Sequence, residues 1–158
     1  MLGVETAGTE VKDGRVDAAA VERVARGVMR EFKNVSKVAL SLRENISASH
    51  NLWGGMFLDA EKGSASSVRA SFAPLGPDGA CGFYDIRDIV DPLGAGDAFA
   101  AGLIHALNSR DYAAPGDAIR FATAAGCLKH SISGDFNLVS REEIEALMEG
   151  RAGGQVRR

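Results

Sequence analysis

The stretch Asp91-Pro92-Leu93-Gly94-Ala95-Gly96-Asp97 constrains the fold most. The apolar residues Ile86, Ile89 and Val90 lead into it as a strand. A residue before proline favours extended backbone, so the strand is expected to end at Asp91. Gly94, Ala95 and Gly96 then offer backbone N–H groups with almost no side chain in the way, and a helix follows to about Asn108. The first amides of a helix have no intrahelical partner, and the helix dipole favours negative charge beside them. A strand, a small-residue turn and a helix in this order make an anion site that a phosphate can approach closely. Ala98, Ala100, Ala101 and Gly102 make the helix slim enough to lie against a sheet. No Lys-Ser or Lys-Thr follows the turn, so it is not a Walker loop.

Asp97 stands where the anion would bind. Two negative groups at one helix end repel unless something lies between them, and a substrate hydroxyl fits that place. The carboxylate would accept the hydroxyl proton while the amides stabilise charge on a transferring phosphoryl group. A weak base suffices where transfer is loose and the proton moves late. On spacing alone, an ordinary strand-to-helix turn with Asp97 as a helix-start residue explains the same pattern.

The rest of the chain reads as an α/β domain. Asp17 caps a helix over 17–32, with Val16 and Val21 as a hydrophobic staple and Val24, Ala25, Val28 and Phe32 at helical spacing. Val38, Leu40 and Leu42 alternate as a strand. Residues 51–59 and 64–72 read as two further strands joined by a turn over 60–63. Pro115 opens a second helix on this side, and Ser140 with Glu143 forms a capping box for a third, with Val139 against Ile144. Helix, strands and then helices argue for layered α/β architecture. The domain is placed at 1–150, and 151–158 is expected to be a frayed tail.

Composition narrows the function. Apolar residues are 46% and charged residues 25%, the proportions of a globular protein. The formal charge is −3, which argues against a nucleic-acid or anionic-membrane partner. Any anion must be held by a local site. Cys81 and Cys127 form no C-x-x-C pair and read as free thiols, and no apolar run approaches the ~20 residues of a membrane span. The N-terminal residues carry no signal-peptide pattern, so the expectation is cytoplasmic. His50 and His130 lack carboxylate or cysteine partners at ligand spacing, so no metal site is expected from them. Trp53 reads as core, and Cys81 has no local base to make it a nucleophile.

Residues 91–104 resemble the second signature of the ribokinase-like (PfkB) sugar kinases. Ser41-Leu42-Arg43-Glu44, the stretch Ser47-Ala48-Ser49-His50-Asn51, and residues 129–140 (Lys129-His130-Ser131-Ile132-Ser133-Gly134-Asp135-Phe136-Asn137-Leu138-Val139-Ser140) are similar to the 2-keto-3-deoxygluconate kinase branch. The resemblance implies the C-terminal portion only of a ribokinase-like α/β/α sandwich, with a partly parallel sheet. It implies that Gly94, Ala95 and Gly96 form an anion hole and that Asp97 is the catalytic base, touching the sugar hydroxyl. It places Ser41, Leu42 and Arg43 at a strand end bordering the nucleotide, and Thr123 on the helix that walls the adenine pocket. It assigns Asp135 to the hydroxyl side of the sugar acid. Asp91 either positions the loop or assists a monovalent cation site. Arg43 stands where many relatives have glycine. Solvated charge for Arg43, core packing for Thr123 and a plain turn for Asp135 are the corresponding structural readings.

The implied activity is ATP-dependent phosphorylation of a sugar or sugar acid, with ATP and Mg2+ as cofactors. Family members are longer: their N-terminal part supplies a β lid, most sugar contacts and an Asn-x-x-Glu motif that helps place magnesium. This sequence contains no Asn-x-x-Glu. The resemblance therefore implies a chain that is inactive alone, or a non-catalytic nucleotide- or partner-binding remnant. Its partners would be a small sugar acid and ATP, with a second copy of the chain or the N-terminal half covering what is left exposed.

Overall fold

A computed structural model describes residues 16–60, 69–112 and 114–151. The expected turn over 61–63, most of the expected strand over 64–72, the opening loop over 1–15 and the tail over 152–158 lie outside the described residues.

The first element, α1 (Ala18–Glu31), begins where the sequence places it. The Asp17 carboxylate accepts from the amides of Ala19 at 2.9 Å and Ala20 at 3.2 Å, and Val16 and Val21 join the same apolar cluster. Its buried face carries Ala25 and Met29. Strands β1 (Lys37–Ser47) and β2 (His50–Asp59) form an antiparallel hairpin, paired from Lys37 opposite Asp59 to Ser47 opposite His50, with an irregularity between Asn45 and Ser47. On the other side of β2, β3 (Ser71–Ala73) pairs along Gly55–Phe57 and β4 (Tyr84–Arg87) along His50–Trp53. Helices α2 (Ala95–Asn108), α3 (Pro115–Lys129) and α4 (Arg141–Met148) follow.

The period-2 alternation of β2 divides the core in two. Met56 and Leu58 face α1, packing with Ala25, Met29 and Leu42. Trp53 and Phe57 face the opposite way, into a cluster with Phe99 of α2, Ile119 and Phe121 of α3, and Ile144 and Leu147 of α4. A sheet with helices on both faces is the expected α/β/α layering. Complete burial of one large apolar side chain such as Leu58 or Phe57 stabilises by roughly 1.5–3 kcal/mol, so both faces of β2 contribute. The α4 capping box is present: Glu143 N–H donates to Ser140 Oγ and Ser140 N–H to Glu143 Oε2.

Three expectations need correcting. Every strand pairing among the described residues is antiparallel. A parallel pair needs a crossover connection between its strands, and here the three helices after β4 lead to no further strand among the described residues. The last strand ends at Arg87 and not at Asp91, because Asp88 turns the backbone to a left-handed φ of 56°. The small-residue face of α2 packs mainly on α3: a Cβ on Gly102 would lie 3.1 Å from Ala122 Cα and from Ala125 Cβ. Phe99 of its buried face reaches the strands, against Trp53 and Gly55.

Candidate active site

The chain leaving β4 is pinned to the end of α3. The Ile89 amide donates to Ser49 O at 3.2 Å, and the amides of Val90 and Asp91 donate to His130 O at 2.9 and 3.2 Å. The Asp91 carboxylate then organises the turn. It accepts from the Leu93 amide at 2.9 Å and from the Gly134 amide, 43 residues on, at 2.9 Å. These two amides hold its carboxyl below the usual carboxylate range. Of the two roles open for Asp91, loop positioning is the one its contacts show.

Gly94 starts α2 with a left-handed φ of 78° and no side-chain cap. A Cβ there would fall 2.2 Å from Asp135 O, so only glycine lets the two loops meet this closely. The Ala95 amide donates to Pro92 O at 3.3 Å and its side chain is buried, so Ala95 shapes the turn from inside. Gly96 is exposed, with nothing within 4 Å of where a Cβ would stand. The amides of Gly96 and Asp97 have no acceptor among the described residues. Asp97 is exposed in the first turn of α2, and Asp135 is exposed beside the turn. The structure therefore brings Gly94, Ala95, Gly96, Asp97 and Asp135 together at one helix start.

The nucleotide residues separate. Ser41 and Arg43 are exposed on β1, whereas the Leu42 side chain is buried on the opposite face against α1. The Arg43 guanidinium is held by the buried Asn51 amide, whose oxygen, in the orientation that satisfies its surroundings, accepts Nη2 at 2.9 Å and Nε at 3.1 Å. Thr123 is fully buried, donates its hydroxyl to Ile119 O at 2.7 Å, and sits where Gly55 leaves room for it. That hydroxyl packs the core and has no open side towards a ligand. Trp53 is core as expected, donating Nε1–H to Thr123 O at 3.1 Å. His130 is also buried, donating Nδ1–H to Gly126 O at 2.9 Å, and burial first, with the charges of Arg43 and Lys129 assisting, lowers its pKa.

The sequence reading missed the Asp91–Gly134 bond and the fully buried Lys129 at the end of α3. The signal for Lys129 was present: one cation closing the otherwise apolar or small run Phe121–Leu128. No three His, Cys, Asp or Glu side chains among the described residues could together hold a metal ion. Cys81 is half-buried and Cys127 buried, and burial pushes the Cys127 thiol up to about 12, which makes it inert. No described helix is long and apolar enough to cross a membrane.

A small-residue turn with free amides, a dipole behind them and an exposed carboxylate one residue on can bind an anion and accept a proton beside it. Comparison with known proteins gives that arrangement a family. Residues 78–140, which contain the whole site loop, match the pfkB family carbohydrate kinase pattern. The crystal structure of 2-dehydro-3-deoxygluconokinase from Thermotoga maritima is 36% identical with a TM-score of 0.68, over 85% of this chain and 35% of that one. A PfkB family carbohydrate kinase from Listeria grayi is 28% identical with a TM-score of 0.63, over 84% of this chain and 35% of its own. A third structure, from Enterococcus faecalis, is 23% identical with a TM-score of 0.59 over 93% of this chain, and bears on the fold alone. Among curated proteins none matches. The chain spans about a third of the length of these structures, 35% to 37%. Over residues 78–140 this chain carries the pattern of the PfkB family of carbohydrate kinases, and its described residues have the ribokinase-like fold of the solved kinases it resembles.

Proposed function

We propose that this chain supplies the anion hole and catalytic base for ATP-dependent phosphorylation of a sugar-acid hydroxyl, with 2-keto-3-deoxygluconate as first candidate. The observation that carries the reading is the left-handed turn at Gly94, packed on Asp135, which leaves the Gly96 and Asp97 amides and the Asp97 carboxylate open at one helix start. The 36% identity to the Thermotoga maritima 2-dehydro-3-deoxygluconokinase supports the substrate class. In this reading an Asp97 carboxylate oxygen takes the hydroxyl proton. The hydroxyl oxygen forms its bond to the γ-phosphorus, the bond to the β–γ bridging oxygen breaks, and ADP leaves. The amides of Gly96 and Asp97 stabilise the equatorial oxygens as charge redistributes. Asp135 binds the hydroxyl side of the acid, and Ser41 and Arg43, exposed midway along β1, border the nucleotide.

A second reading is binding of nucleotide or partner without turnover. The two separate in a coupled ADP-release assay with 2-keto-3-deoxygluconate, using ribose and fructose as comparators. The isolated chain is expected to show essentially no turnover, and a full-length kinase containing this segment is expected to turn over the sugar acid in preference. Preference for ribose or fructose would remove the sugar-acid assignment, and robust turnover by the isolated chain would remove the need for a further half.

A further inference from the structure

The cation at the end of α3 is unusual for its place. Lys129 is fully buried, in a helix whose residues 121–128 are buried as well. Burying an ammonium is costly unless its donors are satisfied. Here Nζ donates to Ile132 O at 3.0 Å and to Asp91 O at 3.4 Å. Those carbonyls belong to different segments: Asp91 opens the turn that carries Gly94–Asp97, and Ile132 opens the loop that carries Gly134 and Asp135. The Asp91 carboxylate closes the same junction from its other side, through the Gly134 amide. Its carboxyl is held low first by the Leu93 and Gly134 amides, and the Lys129 charge acts in the same direction.

We infer that Lys129 is a positioning residue, whose ammonium locks the 91–94 turn to the 132–135 loop and so fixes the open amides and Asp135 as one phosphoryl- and sugar-binding unit. The inference rests on reading Gly94–Asp97 as the anion site. A lysine that merely filled the core would behave differently. Lys129→Met keeps the length and removes the donor, so Asp91 O and Ile132 O lose their shared partner. The loss therefore stays at the 91–94 and 132–135 junction if Lys129 positions, and spreads to the β1–β2 core if it only packs.

The test uses the 158-residue chain, with Lys129→Met as the variant and inorganic phosphate as the probe. Amide chemical shifts of Gly96 and Asp97 report phosphate binding, hydrogen exchange at Leu93 and Gly134 reports the junction, and thermal unfolding reports stability. Expected for Lys129→Met are phosphate affinity weaker by about 5- to 10-fold, the scale of one lost ordinary hydrogen bond, and faster exchange at Leu93 and Gly134. The β1–β2 amides should keep their protection. Unchanged exchange at Leu93 and Gly134 would overturn the inference, as would a parallel loss of midpoint and β1–β2 protection. If the unaltered chain shows no phosphate shifts at Gly96 and Asp97, the anion-site reading falls, while the exchange measurement still decides whether Lys129 locks the junction. Should Lys129→Met fail to fold, Lys129→Gln, which keeps a donor without the charge, takes its place. Failure of both to fold would make Lys129 a core residue and overturn the inference.

Discussion

Gly94 and Asp135 touch backbone to backbone: a Cβ on Gly94 would stand 2.2 Å from the Asp135 carbonyl oxygen. Gly94→Ala must therefore move the 132–135 loop as well as adopt a φ of 78°. A loss of about 1–3 kcal/mol in unfolding free energy is expected, with loss of phosphate binding. Gly96→Ala is the contrast, since nothing lies within 4 Å of its Cβ position. Its stability should change by less than about 0.5 kcal/mol, yet phosphate affinity should fall because the methyl group stands before the open amides. Denaturant unfolding and a phosphate titration on both variants check the pair; equal stability of the two would contradict the packing described.

Asp97→Asn keeps the size and the helix start but removes the proton acceptor. In a full-length kinase containing this segment, kcat should fall by about 10²–10⁴-fold, the usual worth of a general base. ATP affinity should barely change, because the base acts on the transition state. Steady-state kinetics with ATP and sugar acid varied separately makes the measurement, and normal kcat would remove Asp97 from the chemistry.

The Asp91 junction carries a pH dependence. Its carboxyl is lowered in the folded chain from 3.8, so the folded state binds this proton less readily than the unfolded state. The junction's contribution is therefore fully present above about pH 4 and is lost as pH falls through the lower folded value. The Leu93 and Gly134 amide signals should titrate together with a midpoint below 3.8. Separate midpoints for the two would show that they do not share one acceptor.

Two features of the surface bear on assembly. Among the described residues, β1 pairs on one side only, leaving an edge of 11 residues. Leu93, Phe136 and Leu138, flanking the site, are 63%, 78% and 75% exposed. Open strand edges and apolar patches favour association. Size exclusion with light scattering should show a mass above 16.6 kDa that rises with concentration; a clean monomer over a wide range would contradict this.

Local rules made much of the architecture legible. Asp17, Pro115 and the Ser140–Glu143 pair marked three helix starts, because caps act within one turn. The layering followed from the order of a helix, strands and then helices. The sheet's antiparallel pairing was not legible, since strand order depends on contacts far apart in sequence. Nor was the early end of β4, which rests on the left-handed backbone at Asp88, a residue type with no obligation to adopt it. In the site, the Gly94–Asp97 turn was readable as one local motif. The ties from Asp91 to Gly134 and from Lys129 to Asp91 and Ile132 were not, because they join segments about 40 residues apart or hide a charge among apolar neighbours. Thr123 was left open in the sequence, since a hydroxyl on a helix can serve a ligand or its own helix; in the structure it donates to Ile119 O, with Gly55 of β2 packed against it.

In the proposed function, the start of α2 receives the phosphates of ATP. Titration of the isotopically labelled chain with ATP, followed by amide chemical shifts, tests it most directly. The largest shifts should fall on Gly94, Ala95, Gly96 and Asp97, with smaller ones at Ser41, Arg43 and Asp135. Saturable binding that leaves the 94–97 amides unmoved, or no binding at millimolar ATP, would contradict it.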